Sequence, residues 1–250
     1  MNLSTQIRNH LQAHHLPPPS QPWVQTLITA RTPPPPLPSL VMTAKTRLLA
    51  SDLTTPGLLD PAAIPTLVFP TGVTDPSARE ARLARDVYVQ VVDVENLSRS
   101  RWEQVEDLEA IERGEQTRGR EVIRLPVGGG GGVGDEQEAP PQPAAQREVG
   151  GGGGGGGGAS KNATHRLVLQ DCKGQKVFAI ELTRIPKIAI GTLNIGEKIL
   201  LRKGTIVARG TVLLEPNTCH ILGGKVDAWQ KAWLEGRLAR LKETVGTGQA

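Results

Sequence analysis

Apolar positions recur three and four apart through the first fifty residues of this chain, and two apart through most of the last hundred. Ile7 and Leu11 lie one turn apart in a predicted helix over 5–14. Trp23, Val24, Leu27 and Ile28 share one side of a predicted helix over 21–30, with Pro22 suited to a first helical turn. Leu40, Val41, Leu48 and Leu49 form the stripe of a third helix over 40–50, for which Ser39 is the expected cap. Helices this short are marginal alone, so a small bundle is expected. Residues 51–76 read as mostly extended and too apolar for a free linker, and 75–85 as a charged helix.

The period then changes to two. Residues 86–94 (DVYVQVVDV) place Val87, Val89 and Val91 on one side and Tyr88, Gln90 and Val92 on the other. Ser98 or Ser100 is expected to start a charged helix over 101–113, in which Trp102, Val105, Leu108 and Ile111 recur at threes. A short strand over 121–125 follows. Strand patterns return at 166–170 and 176–182 across the turn Asp-Cys-Lys-Gly-Gln, and then at 198–202, 205–208, 211–214 and 217–222. One closing helix over 226–242 carries Val226, Trp229, Trp233 and Leu241 on a face.

Between the two β regions lie the glycine tracts Gly128–Gly132 and Gly150–Gly158, with acidic and proline-glutamine residues between them. Such composition buries too little apolar surface to order itself. Neither flank makes a complete β domain alone, so one domain with a long loop threaded out of it is the economical reading. The expected fold is α+β: a three-helix bundle, then a five-stranded Greek-key barrel of the OB type with a disordered insertion between its first two strands, then a C-terminal helix. The boundaries expected are 1–80 for the bundle and extended linker and 81–245 for the OB domain. The inserted loop covers 98–163 and its low-complexity part 128–160. Insertion is thermodynamically cheap, since each doubling of loop length costs only about 0.6 kcal/mol.

Composition narrows the function classes. No apolar stretch is long enough to span a membrane, and the amino terminus lacks a secretory layout, so an intracellular, reduced protein is expected. Two lone cysteines, Cys172 and Cys219, cannot supply a four-ligand zinc site, and no metal or cofactor is expected. No histidine has an acid or nucleophile at a recognisable spacing, and the glycine tracts lack the Lys-Ser/Thr of a phosphate loop. An enzyme is not expected. Asp93 and Glu95 read as a solvated rim.

The net charge of +4 is uneven: residues 161–250 hold 15 Lys and Arg against 7 Asp and Glu. Lys173, Lys176, Arg184, Lys187, Arg202, Lys203 and Arg209 are candidate phosphate contacts. Barrels that grip single strands stack bases on several aromatics. The strands here offer only Tyr88 and Phe178, and Phe178 is expected to face the core, so a protein-binding barrel with weak DNA affinity is favoured.

The runs HRLVLQDCKGQKVFAIEL, GEKILLRKG, RGTVLLEPNT and HILGGKVDAW, with the earlier SDLTTPGLLDP and VYVQVVDVENLSRSRWEQ, resemble the N-terminal module of the RecQ-mediated genome instability protein 1 family. The resemblance implies a non-catalytic, nuclear adaptor bound to topoisomerase III, a type IA enzyme, and through it to a RecQ-family helicase. Such a complex dissolves double Holliday junctions. The resemblance also implies that the inserted loop reaches into the topoisomerase. Candidate partner contacts are Trp102, Val105, Leu108 and Ile111 on the helix at the loop's root, Lys225 just before the closing helix, and Trp229 and Trp233 on it. The alternative is a stand-alone OB-fold protein that binds single-stranded DNA.

Overall fold

The structure, a computed structural model, describes residues 2–115 and 163–246. The strand expected over 121–125, the glycine tracts and the low-complexity part 128–160 lie outside the described residues. Two compact units result: Met1–Val105 with Ala159–Ala250, and Glu106–Gly158. The described part of the second unit is the end of one helix and the turn after it.

Three helices open the first unit: α1 (Leu3–Ala13), α2 (Gln21–Thr29) and α3 (Leu37–Ala50). The Asn2 side chain accepts from the Ser4 N–H and caps α1, and Ser20 Oγ accepts from the Trp23 N–H at 3.2 Å and caps α2. Ser39 does not cap α3. That helix starts three residues earlier than expected, at Leu37 after Pro36 and without a side-chain cap, because Pro38 can occupy a first-turn position where no N–H is needed. Ile7, Leu11, Val24, Leu27, Leu40, Ala44 and Leu48 form one core. The stretch after α3 runs in turns, with one short helix, α4 (Ile64–Leu67).

The β part departs from the expected closed, five-stranded OB barrel. Eight strands form one open half-barrel in the order β1-β6-β7-β4-β3-β2-β5-β8. They are β1 (Ala81–Arg82), β2 (Val87–Asn96), β3 (His165–Asp171), β4 (Lys176–Glu181), β5 (Lys198–Leu201), β6 (Ile206–Ala208), β7 (Thr211–Leu214) and β8 (Cys219–Gly223). The charged helix expected over 75–85 is instead a run of turns ending in β1, which pairs antiparallel with β6. Strands β6 and β7 form a tight hairpin through Arg209 and Gly210, both at positive φ, and β7 then runs parallel to β4. The edges β1 and β8 stand at opposite ends of the order and do not pair.

What seals this core is a helix. α6 (Asp227–Glu235) lays Trp233 into a core built from Val87, Val89, Val91, Leu167, Leu169 and Ile199, and Trp229 packs beside it. The single closing helix expected over 226–242 is two. Gly236 ends α6, and α7 (Arg237–Gly246) follows.

Three buried polar side chains of the sheet face the segment that follows α3. Gln90, fully buried on β2, accepts from the Leu53 N–H at 3.0 Å and donates to Asp52 Oδ1 at 2.6 Å and Gln170 Oε1 at 3.2 Å. Asp171, at the β3–β4 turn, accepts from the Phe69 N–H at 3.1 Å and from the turn's own Lys173 and Gln175 N–H groups. Lys198 on β5 is 1% exposed, donates to the Gly196 carbonyl at 2.6 Å, and feels the charge of Asp52. Close approach also demands glycine: a Cβ on Gly224 would sit 2.4 Å from the Leu49 carbonyl oxygen.

Candidate functional site

The insertion leaves and re-enters the sheet through a zipped root. Asn96 on β2 pairs with His165 on β3, the Leu97 N–H donates to the Thr164 carbonyl at 2.9 Å, and the Thr164 N–H donates to Ser98 Oγ at 2.9 Å. Whatever lies between 98 and 164 therefore starts from fixed ends. The first element out is α5 (Arg101–Glu112). Its start is a reciprocal cap: Ser100 Oγ accepts from the Glu103 N–H, and the Glu103 carboxylate accepts from the Ser100 N–H at 2.8 Å. That bond and the Ser100 hydroxyl hold the Glu103 carboxyl below the ordinary carboxylate range.

A bulge on β2 between Val91 and Asp93 resets the strand's phase, so that Val94 rather than Asp93 turns inward. It also presents Asp93 to α6, where Trp233 Nε1 donates to Asp93 Oδ1 at 2.6 Å. Two guanidiniums from the following helix lie over the Trp233 ring, Arg237 at 5.4 Å and Arg240 at 5.9 Å from its centroid, and Arg240 donates to the Trp233 carbonyl at 2.7 Å. Glu95, two residues beyond Asp93, is gripped by Arg101 at 3.1 Å and by Arg166 from β3. These groups line a pocket of about 200 Å³ at the root of the insertion.

The candidate partner residues separate into classes. Trp102 is 57% exposed, whereas Val105 is buried and Leu108 and Ile111 are half-buried. Trp233 belongs to the core, and Trp229 packs on it. Lys225 is exposed and pairs with Asp227 at 2.9 Å.

The seven candidate phosphate contacts do not form one strip. Strand registers put Lys173, Lys176, Arg202, Lys203 and Arg209 toward the end of the sheet where β2 enters, and Arg184 and Lys187 at the end where β4 leaves. Arg184 is structural: it donates to Glu181 at 2.6 Å and to the carbonyls of Ile185 and Ile188. Arg202 pairs with Asp86 at 2.9 Å. Glu181 itself is buried and accepts from the His165 N–H and Nδ1 and the Ile185 N–H. Burial opposes its ionisation, but those donors outweigh it and hold the carboxyl below its usual range.

Phe178 does not face the core. It is 50% exposed, with the Arg166 guanidinium 5.0 Å from its ring centroid. Both faces of β4 are apolar in sequence, and the inward one is Val177, Ala179 and Glu181 because Glu181 has four donors waiting there. The cluster missed from sequence is the arginine set around Trp233. Its helical half was legible, since Trp233, Arg237 and Arg240 follow at spacings of four and three. Its strand half, Glu95 opposite Arg166, needed the β2–β3 register.

A family model described as the RMI1 N-terminal OB-fold domain matches residues 69–237, and one described as the RMI1 N-terminal helical domain matches 11–56. The chain belongs to the RMI1 family. It is also similar to RecQ-mediated genome instability protein 1 of Schizosaccharomyces pombe, 38% identical over 73 residues, which are 29% of this chain and 30% of that relative. Membership of the RMI1 family is consistent with a non-catalytic adaptor. Among the described residues no group of three or more His, Cys, Asp and Glu could hold a metal ion, and no helix is long and apolar enough to cross a membrane.

Proposed function

We propose that this chain is a nuclear adaptor that binds a topoisomerase III within a RecQ-helicase complex and stimulates decatenation and the dissolution of double Holliday junctions. Family membership supports the general role. The observation that carries the finer reading is Trp102: a large aromatic, 57% exposed, on the first turn of a well-capped helix at the rigid root of a long insertion. Tryptophan is enriched among the residues that carry most of an interface's binding energy. In this reading Trp102, Leu108 and Ile111 of α5 dock on the topoisomerase, and the insertion that α5 opens contributes to the contact. Lys225 and Trp229 are further candidate contacts in this reading.

Two measurements test it. Tagged chain purified from its own cells is expected to bring down a topoisomerase III and a RecQ-family helicase. The purified pair is expected to unlink DNA circles faster than the topoisomerase alone, with the gain lost on deleting 127–161. Failure to co-purify, or an undiminished rate after the deletion, refutes the reading.

A second reading, direct binding of single-stranded DNA, draws on the exposure of Phe178. It predicts tight binding by the isolated chain that falls steeply with salt. Against it, the guanidinium nearest that ring is stacked on it and paired with Glu95.

A further inference from the structure

We infer that the pocket between the β2 bulge and the α6–α7 turn is a receptor for an acidic side chain, presented on an extended or helical segment of a protein partner with apolar residues beside it. The inference deepens the adaptor reading and rests on it for the partner being a protein.

The charge of the lining points this way. Four arginines, 101, 166, 237 and 240, face two carboxylates, Asp93 and Glu95. Both carboxylates are committed within the fold: Asp93 accepts from Trp233 Nε1 and the Val94 N–H, and Glu95 is shared by Arg101 and Arg166. Among the lining residues the arginines thus outnumber the carboxylates by two. Arg101 and Arg166 remain 46% and 40% exposed, so each has donors to offer an incoming carboxylate.

The size and walls narrow the ligand. About 200 Å³ is below the roughly 300–1,000 Å³ of sites that enclose drug-sized molecules, so one or two side chains fit and a cofactor does not. Val94, Leu241 and the Trp233 ring supply an apolar wall beside the guanidiniums. A nucleic-acid strand would want its bases on exposed aromatic rings. The ring at hand, Phe178, is stacked with Arg166, and Trp233 is buried, so an acidic peptide suits the surface better. The pocket also abuts the start of α5, which places it beside the proposed Trp102 contact without using the same side chains.

The test uses the full chain, isotope-labelled, and a synthetic peptide of alternating leucine and glutamate. The Trp233 indole N–H and the amides of Val94 and Leu241 are expected to shift and saturate. The same peptide with glutamine for glutamate is expected to leave them in place. Replacing both Arg101 and Arg166 by glutamine is expected to weaken the glutamate peptide about tenfold, and added salt to weaken it further. Equal shifts with the glutamine peptide, or no shift with either, overturn the inference, and neither outcome depends on the variant folding. Shifts of these resonances by oligothymidylate but not by the peptide overturn it in favour of nucleic acid. Peptide binding in a chain that fails to bring down topoisomerase III leaves the pocket standing and removes the adaptor reading; the reverse pattern removes the pocket alone.

Discussion

Replacing Trp233 by alanine tests whether a helix-borne ring, rather than strand pairing, seals the half-barrel. The ring is 9% exposed, sits among the core valines and leucines of β2, β3 and β5, and donates to Asp93 at 2.6 Å. Truncating a buried aromatic costs about 3–5 kcal/mol, and a hydrogen bond to a charged group is worth about 1.5–3 kcal/mol, partly counted in the first figure. A unit of this size loses about 2–4 °C in Tm per kcal/mol. Trp233→Ala is therefore expected to lower Tm by roughly 6–20 °C and to expose apolar surface. Trp233→Phe keeps most of the ring and loses the N–H, so about 1.5–3 kcal/mol is expected to go. Calorimetry on wild type, both variants and Asp93→Asn separates ring volume from the hydrogen bond. A Tm for the alanine variant within about 2 °C of wild type would refute the sealing role. Equal losses for alanine and phenylalanine would refute the account by volume.

Trp102→Ala should leave Tm unchanged, within about 0.5 kcal/mol of stability for an exposed side chain. It should cost at least about 2 kcal/mol, near thirtyfold, in affinity for topoisomerase III by titration calorimetry; a destabilised fold with normal affinity would contradict this. Gln90→Leu keeps the bulk but orphans the Leu53 N–H, so urea unfolding should show a loss of about 1–3 kcal/mol, and a loss within experimental scatter would show that the amide does not hold bundle to sheet. Burial pulls the Lys198 ammonium down from 10.5 to about 8, against Asp52 and Glu197, so the unfolded chain binds the extra proton between those values. Wild type relative to Lys198→Met should accordingly gain stability as pH rises from about 8 to 10.5 and lose it as pH falls through 8. Burial pushes the Cys172 and Cys219 thiols up to about 11 and about 12, which removes stability above pH 9 in both proteins alike, so the difference isolates Lys198; a flat difference refutes its burial as a charged group.

Local periodicity carried much of this protein. The stripes at Ile7 and Leu11, Val24 and Leu27, and Leu40 and Leu48 are the bundle core, and the alternation at Val87, Val89 and Val91 is the centre of the sheet core. The serine before Arg101 capped its helix because a reciprocal cap is complete within four residues. Contacts between distant segments could not be read that way. The sequence offers apolar residues on both sides of β4, so alternation cannot choose a face; the buried donors around Glu181 turned Phe178 outward. Ala81 and Arg82 carry no strand signal, and became an edge only because β6 left hydrogen-bonding groups unpaired beside them. Barrel closure is likewise a matter of where the last strand ends relative to the first, which no window of residues encodes. Here Trp233 of α6 lies in the sheet's core, the sheet is open, and Arg237 and Arg240 of α7 lie over that ring.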